Sequence, residues 1–307
     1  MFRQSCAISA FLLALACSPA GAQDEPVVFR SDARLVVIHA TVVDAEGNLV
    51  TDLPETAFSI YENGVQQEVK FFRHEDGPVS VGLVIDDSGS MGPRRDKVAA
   101  AGLGFVRASH PDNEAFVLHF NEKSYLDTDF TNDTARLEQG LTNFDSRGTT
   151  SMRDALRLAM THLEQRARED KKVVLVVTDG EDNSSHTGRE YLVKMAQQTG
   201  VIVYPIGLLH ETDDAKAQRA RADLEAVARA TGGQAFFLNS VEEIDRTVRD
   251  IARQIRNQYT IAYTPSNPAL DGTYRKLDVR VAAPAPVVVR ARTGYWAGNA
   301  VAAASTN

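Results

Sequence analysis

Val79-Ser80-Val81-Gly82-Leu83-Val84-Ile85-Asp86-Asp87-Ser88-Gly89-Ser90-Met91 is the stretch that decides the fold of this chain. Its first half is apolar or small and reads as a buried strand. It runs directly into a cluster of oxygen-bearing side chains, where the strand must end. In an open α/β sheet, ligands sit outside the carboxyl ends of the strands. Asp86, Ser88 and Ser90 alternate, so a short extended or turning backbone aims their oxygens at one point. A carboxylate with hydroxyls is a hard, oxygen-only set that suits Mg²⁺ or Mn²⁺ rather than zinc. The same residues also suit a turn and a helix N-cap, and this stretch alone leaves both readings open.

Two later stretches bear on that choice. Gly148-Thr149-Thr150-Ser151-Met152-Arg153-Asp154-Ala155-Leu156 sets Thr150 just ahead of a helix, and Val173-Val174-Leu175-Val176-Val177-Thr178-Asp179-Gly180 sets Asp179 at the end of a second buried strand. Asp-x-Ser-x-Ser after a strand, with Thr150 and Asp179 following in order, resembles the metal-ion-dependent adhesion site of von Willebrand factor type A domains. The resemblance implies a Mg²⁺ site, with Mn²⁺ as an alternative. Ser88, Ser90 and Thr150 would be hydroxyl ligands, and Asp86 and Asp179 would bind directly or through water. An open coordination position would then take a Glu or Asp from a protein partner. Affinity for the ion should be moderate, since magnesium gives up its waters reluctantly. Asp87 is an extra carboxylate, expected to tighten the metal and weaken an acidic partner. Arg147 and Arg153 flank Thr150, either as ordinary surface residues or as receivers of an acidic ligand. Glu181, Asp182 and Asn183 are expected to line the rim, with an outer ion site as a lesser reading.

Composition places the chain in a compartment. Arg3, the apolar run Ala7 to Ala16 and Ala20-Gly21-Ala22 read as a secretory signal peptide over residues 1–22, cleaved after Ala22. The apolar run is too short to span a bilayer. Cys17 leaves a lipoprotein alternative, although the usual leucine three positions upstream is missing. Cys6 and Cys17 are the only cysteines, so the mature protein is expected to have neither disulfides nor thiol chemistry. The expected location is secreted or periplasmic. A net charge of −8 argues against nucleic acid or anionic lipid as the main partner. No later segment reads as transmembrane.

The rest of the chain divides by period. Residues 23–77 are a β-rich segment: a strand over Leu35 to Asp44, a short extended piece over Leu49 to Leu53, a strand over Ala57 to Glu62, an Asn63-Gly64 hairpin turn and a return over Val65 to Phe72. Residues 78–256 alternate short apolar strands with helices, which predicts a doubly wound, mostly parallel sheet of the Rossmann-like type. Within it, Thr187-Gly188-Arg189-Glu190 and Ser240-Val241-Glu242-Glu243 read as capping boxes. Residues 257–297 return to β structure, with strands over Tyr259 to Tyr263, Thr273 to Val281 and Val287 to Ala291, and 298–307 is a loose tail. The two β segments either form one sandwich with the α/β unit inserted, or stand as separate appendages. The order of motifs over residues 30–297, from Val42-Val43-Asp44-Ala45-Glu46-Gly47-Asn48 and Phe58-Ser59-Ile60-Tyr61-Glu62-Asn63-Gly64 to Asn257-Gln258-Tyr259-Thr260-Ile261-Ala262-Tyr263 and Ala291-Arg292-Thr293-Gly294-Tyr295-Trp296, is similar to the VWFA-related proteins typical of acidobacteria.

Enzymatic chemistry is poorly supported. There is no Gly-x-Ser-x-Gly or His-Glu-x-x-His motif, and the seven histidines lack ligand-like spacing. His119 reads as a packed or hydrogen-bonded residue. Asp127, Asp129, Asp133 and Glu138 have calcium-loop spacing, but Asn132 stands where the loop needs glycine; Asp179 to Glu190 fails in the same way at Ser184. The expected function is therefore an exported adhesion or protein-binding module. The alternatives are a structural envelope protein with a fold-stabilising metal and, behind it, a metal-assisted hydrolase. Strand pairing by the β segments adds homo-association as a further contact.

Overall fold

Strands β1 (Val36–Val43), β2 (Phe58–Glu62), β3 (Val65–Gln67) and β4 (Val69–Arg73) precede the alternating part of the chain. That part runs β5 (Ser80–Asp86), α1 (Arg95–Ala108), β6 (Glu114–Phe120), β7 (Ser124–Thr131), α2 (Thr134–Leu141), α3 (Met152–Arg166), β8 (Lys172–Thr178), α4 (Arg189–Thr199), β9 (Ile202–Gly207), α5 (Ala215–Thr231), β10 (Phe236–Phe237) and α6 (Ile244–Arg256). β11 (Tyr259–Tyr263), β12 (Tyr274–Val281), β13 (Val288–Arg290) and β14 (Gly294–Trp296) complete it. The computed structural model describes residues 35–74, 76–143, 145–180, 182–209 and 215–298. The expected signal peptide, Cys17, Glu181 and nearly all of the C-terminal tail lie outside the described residues.

The alternating part forms one mixed sheet in the order β10-β9-β8-β5-β6-β7, parallel except for the antiparallel edge strand β7. Every residue of β5 is buried, as a central strand covered on both faces requires. Val84, Val174 and Val176 pack with Leu156, Met160 and Leu224 from α3 and α5 on one face. Leu83, Ile85 and Leu175 pack with Val98, Phe105 and Ile251 from α1 and α6 on the other. Gly82 is required by close approach, because a Cβ there would lie 2.5 Å from Phe116 Cζ.

The two β segments form one sandwich-like arrangement of antiparallel sheets, β13-β1-β11-β4 and β14-β12-β2-β3, rather than separate appendages. Ile38, Ile60, Tyr259, Ile261 and Tyr263 fill the space between them. Buried Glu62 accepts hydrogen bonds from Tyr263 Oη at 2.6 Å and Tyr295 Oη at 2.7 Å, joining the two sheets. The return expected over Val65 to Phe72 is two strands. β3 pairs with β2 and β4 with β11, and the chain changes sheets at Glu68.

The sandwich meets the α/β unit at the amino-terminal ends of the unit's strands. Gln258 Nε2 donates to Thr41 Oγ1 and to Tyr204 Oη, each at 3.1 Å. Trp296 Nε1 donates to Gln197 Oε1 at 3.2 Å, and Arg292 Nη2 to Gln197 O at 2.7 Å. At the same end but within the α/β unit, Lys171, just ahead of β8, donates to Ile255 O. The opposite edge, with Asp86 and Thr178 at the strand ends, therefore faces away from the sandwich.

Two local expectations need correction. The Thr187-to-Glu190 capping box does not form: Gly188 is the N-cap of α4, and no side chain caps it. Thr187 instead gives its N–H to Asp154 Oδ1 at 2.9 Å and its carbonyl to Arg153 Nε at 2.8 Å. The Ser240-to-Glu243 box does form, on the 3₁₀ turn that leads into α6. Helix α2 was not expected. Its N-cap is Asp133, which accepts from the N–H groups of Ala135 and Arg136 at 2.9 and 3.3 Å, so one carboxylate of the calcium-like series is a capping residue.

Candidate metal centre

Asp86 ends β5 with its side chain buried. Oδ1 accepts the Ser88 N–H at 2.8 Å and Oδ2 accepts the Thr178 hydroxyl at 2.6 Å. Burial pushes its carboxyl up to about 6, and the bonds from Thr178 and Ser88 oppose that shift. The first bond turns the chain out of the strand, and the second ties β5 to β8. The turn then brings Ser88 Oγ to 3.3 Å from Ser90 Oγ, and Ser90 Oγ donates to Asp179 Oδ1 at 2.7 Å. The Asp179 side chain is only 3% exposed.

Thr150 arrives on a separate loop. Its N–H donates to Asn183 Oδ1 at 3.1 Å, and its carbonyl accepts the N–H groups of Asn183 and Ser184, both at 3.1 Å. Its hydroxyl is turned to the Asp179-Gly180 corner, where a Cβ on Gly180 would lie 3.7 Å from Thr150 Oγ1. Gly89 N–H reaches Gly148 O at 3.4 Å, joining the serine loop to the threonine loop. The loop after β6 joins through Asn121 O, which accepts Ser151 N–H at 2.8 Å. Asp86, Ser88, Ser90, Thr150 and Asp179 thus come together at the carboxyl edge of the sheet from three loops.

The donor set tests which ion these residues fit. It contains three hydroxyls and two carboxylates, without nitrogen or sulfur, which suits a hard cation that keeps some of its waters. Among the described residues, no three or more of His, Cys, Asp and Glu gather as a metal site; with two carboxylates, the present set is of a different kind. A positive charge already lies against it. Arg94 Nη1 donates to Asp179 Oδ2 at 2.7 Å and to Ser90 O at 3.0 Å.

Of the charged neighbours, Asp87 departs from the sequence expectation. Asp87 points away from the cluster. Its carboxylate accepts Asp145 N–H at 2.9 Å, Ser146 N–H at 2.7 Å and the Ser146 hydroxyl at 3.1 Å, so it fastens the loop that leads to Thr150. Arg153 is fully engaged and does not reach out for a ligand: it bonds Thr187 O and Asp223 Oδ2 and lies 3.4 Å from Asp182 Oδ1. Arg147 pairs with Asp145 at the surface. Asp182 is taken up by Arg153 N–H, Ser185 N–H and the Ser185 hydroxyl, and Asn183 by Thr150. Both serve the scaffold, leaving little for an outer ion. His119 is hydrogen-bonded to Asp127 at 2.8 Å, as expected of a packed residue.

Sequence reading missed Arg94, Thr178, Asn121 and the direction of Asp87. Thr178 carried a signal, being the last residue of a buried strand immediately before Asp179. Arg94 carried none, because its reach back to Asp179 depends on where two distant loops meet.

Comparison with known proteins places this geometry. Residues 81–181 match the family model of the von Willebrand factor type A domain. A von Willebrand factor type A domain stands at the centre of this chain. Such domains are in general non-catalytic adhesion modules. The chain is also similar to calcium-activated chloride channel regulator 1 of Equus caballus, 27% identical over 159 residues, a match that covers 49% of this chain and 16% of that protein. The chain thus spans under a fifth of that relative. Proximal thread matrix protein 1 from the mussel byssus, described with a zinc-occupied MIDAS motif, superposes with a TM-score of 0.51 at 19% identity, over 63% of this chain and 49% of that one. That likeness is one of fold. The vWF domain of the type V pili tip protein Mfa5 from Porphyromonas gingivalis gives 0.49 at 16% identity, over 60% of this chain and 96% of that one. Among the described residues, no helix is long and apolar enough to cross a membrane.

Proposed function

We propose that this chain is an exported protein-binding module of the VWFA-related type, in which Asp86, Ser88, Ser90, Thr150 and Asp179 hold Mg²⁺, or Mn²⁺, for an Asp or Glu side chain of a partner protein. The observation that carries this reading is the linked series Asp86–Ser88–Ser90–Asp179. Ser90 and Asp179 are 89 residues apart in sequence, yet the series is linked by hydrogen bonds at the edge facing away from the sandwich. Bound there, the ion supplies an electrophilic centre with an exchangeable position for a carboxylate oxygen.

The chain's own residues do the rest. Thr178 and the Ser88 N–H hold the buried Asp86 carboxylate, so the serine loop has one direction. Asp87 and Asn183 fix the approach of Thr150. The Rossmann-like unit over 78–256 carries the site. The β strands on either side of it in sequence form its base, and cleavage after Ala22 releases the chain to the periplasm or the medium.

Retention of envelope proteins on the immobilised chain tests this function. Binding in Mg²⁺ should be lost in EDTA, lost with Asp179→Ala, and lost when the extract's carboxylates are amidated. A profile unchanged by all three treatments would contradict it. If Mg²⁺ raised the melting temperature while the profile stayed constant, the ion would be a fold stabiliser in an envelope scaffold.

A further inference from the structure

We propose that Arg94 is a tethered cation that competes with the divalent ion for Asp179 and so sets the ion concentration at which the site loads. The inference rests on the metal-binding reading above and adds a residue outside the five-ligand set. Asp179 is nearly sealed from water, and both of its oxygens are committed: Oδ1 receives the Ser90 hydroxyl and Oδ2 the Arg94 guanidinium. A carboxylate so placed needs a positive partner, since an unpaired buried charge is strongly disfavoured.

Arg94 is built to be that partner and also to leave. Its backbone sits at the N-cap of α1, which fixes the root of the side chain next to the serine loop. A second bond, to Ser90 O at 3.0 Å, directs the guanidinium into the cluster. Its side chain is 25% exposed against 3% for Asp179, so the guanidinium has a path to solvent that Asp179 lacks. Arginine keeps its charge at every relevant pH. A divalent ion bound by Asp179 and Ser90 would stand within a few ångströms of that charge if the guanidinium stayed. Two cations at that range repel strongly in a partly buried site. Loading therefore requires Arg94 to give up Asp179 Oδ2. Once displaced, the guanidinium would have its donors free for an incoming carboxylate.

Arg95 supplies the control. It is the adjacent residue, carries the same charge, and pairs with Asp96 at 3.4 Å instead of Asp179. The full chain would be titrated with Mn²⁺, with the free-ion signal read by electron paramagnetic resonance, for wild type, Arg94→Gln, Arg95→Gln and Asp179→Asn. Circular dichroism would confirm that each is folded. Competition requires Arg94→Gln to bind Mn²⁺ at least about tenfold more tightly than wild type, a change of about 1.4 kcal/mol, while Arg95→Gln stays within about twofold. In EDTA, Arg94→Gln should also melt at a lower temperature than Arg95→Gln, because Asp179 then lacks any cation. Equal or weaker Mn²⁺ binding by Arg94→Gln, with binding by wild type and none by Asp179→Asn, would overturn the competition and leave the metal site standing. No Mn²⁺ binding by folded wild type and folded Arg94→Gln alike would overturn both.

Discussion

Replacing Asp87 by alanine should release the loop that delivers Thr150. Asp87 is 4% exposed, and its carboxylate accepts three hydrogen bonds, from Asp145 N–H, Ser146 N–H and the Ser146 hydroxyl, at 2.7 to 3.1 Å. Hydrogen bonds to a charged acceptor contribute about 1.5–3 kcal/mol each. They are not additive, and a freed loop recovers part of the loss by bonding water. The net loss is expected to be about 3–4 kcal/mol. Ser146 adds to the demand on the clamp, since its φ of 44° is left-handed without being glycine, a conformation that persists only where the surroundings enforce it. Asp87→Asn keeps one acceptor but turns an amide N–H toward a backbone N–H, for an expected loss of about 2 kcal/mol. Urea unfolding would read the change as a lower midpoint at constant slope, and amide exchange would rise over residues 145–151. A loss below about 1 kcal/mol with unchanged exchange in that loop would refute the clamp.

Gly82→Ala should destabilise by about 2–3 kcal/mol, because its Cβ would lie 2.5 Å from the Phe116 ring. Adding Phe116→Leu to Gly82→Ala should recover part of the loss, read as coupling in a double-mutant cycle. Lys171 has a folded value lowered from 10.5 to about 7 by burial. The unfolded chain therefore binds the proton more tightly, and stability should climb as pH rises from about 7 toward 10.5. Lys171→Met should flatten that climb and, at pH 7, raise stability by about 2 kcal/mol, reduced from the full shift by partial hydration and by the donor lost to Ile255 O. A wild-type pH profile that is flat over this range would contradict the shift.

Much of the architecture was legible because burial and chemistry agree locally. β5 and β8 are apolar on both faces, and only a strand inside a covered parallel sheet has that pattern. Asp86 ends β5 and Ser88 and Ser90 follow it directly, so strand direction alone placed them at the ligand edge. The division of Val65 to Phe72 into β3 and β4 was hidden, since continuous β character does not say which sheet each half joins; β2 and β11, nearly two hundred residues apart, decide it. Helix α2 was missed because its apolar face consists of little more than Leu137 and Leu141. The Thr187 box looked sound, but Asp154 and Arg153 take the backbone groups of that turn, so tertiary bonds displaced a local motif. Around the site, spacing identified the residues that meet. It gave no indication of which neighbouring charges are spent on the scaffold, as with Asp87 and Arg153, and which lie on the cluster, as with Arg94.

Anomalous diffraction from crystals of the full chain grown with Mn²⁺ puts the central claim to its most direct test. A single strong peak should stand about 2.0–2.3 Å from the hydroxyl oxygens of Ser88 and Ser90, with Thr150 and Asp179 in its first or water-bridged shell. A well-ordered edge without a peak, or a peak lying only elsewhere, such as beside Asp127 and Asp129, would contradict it.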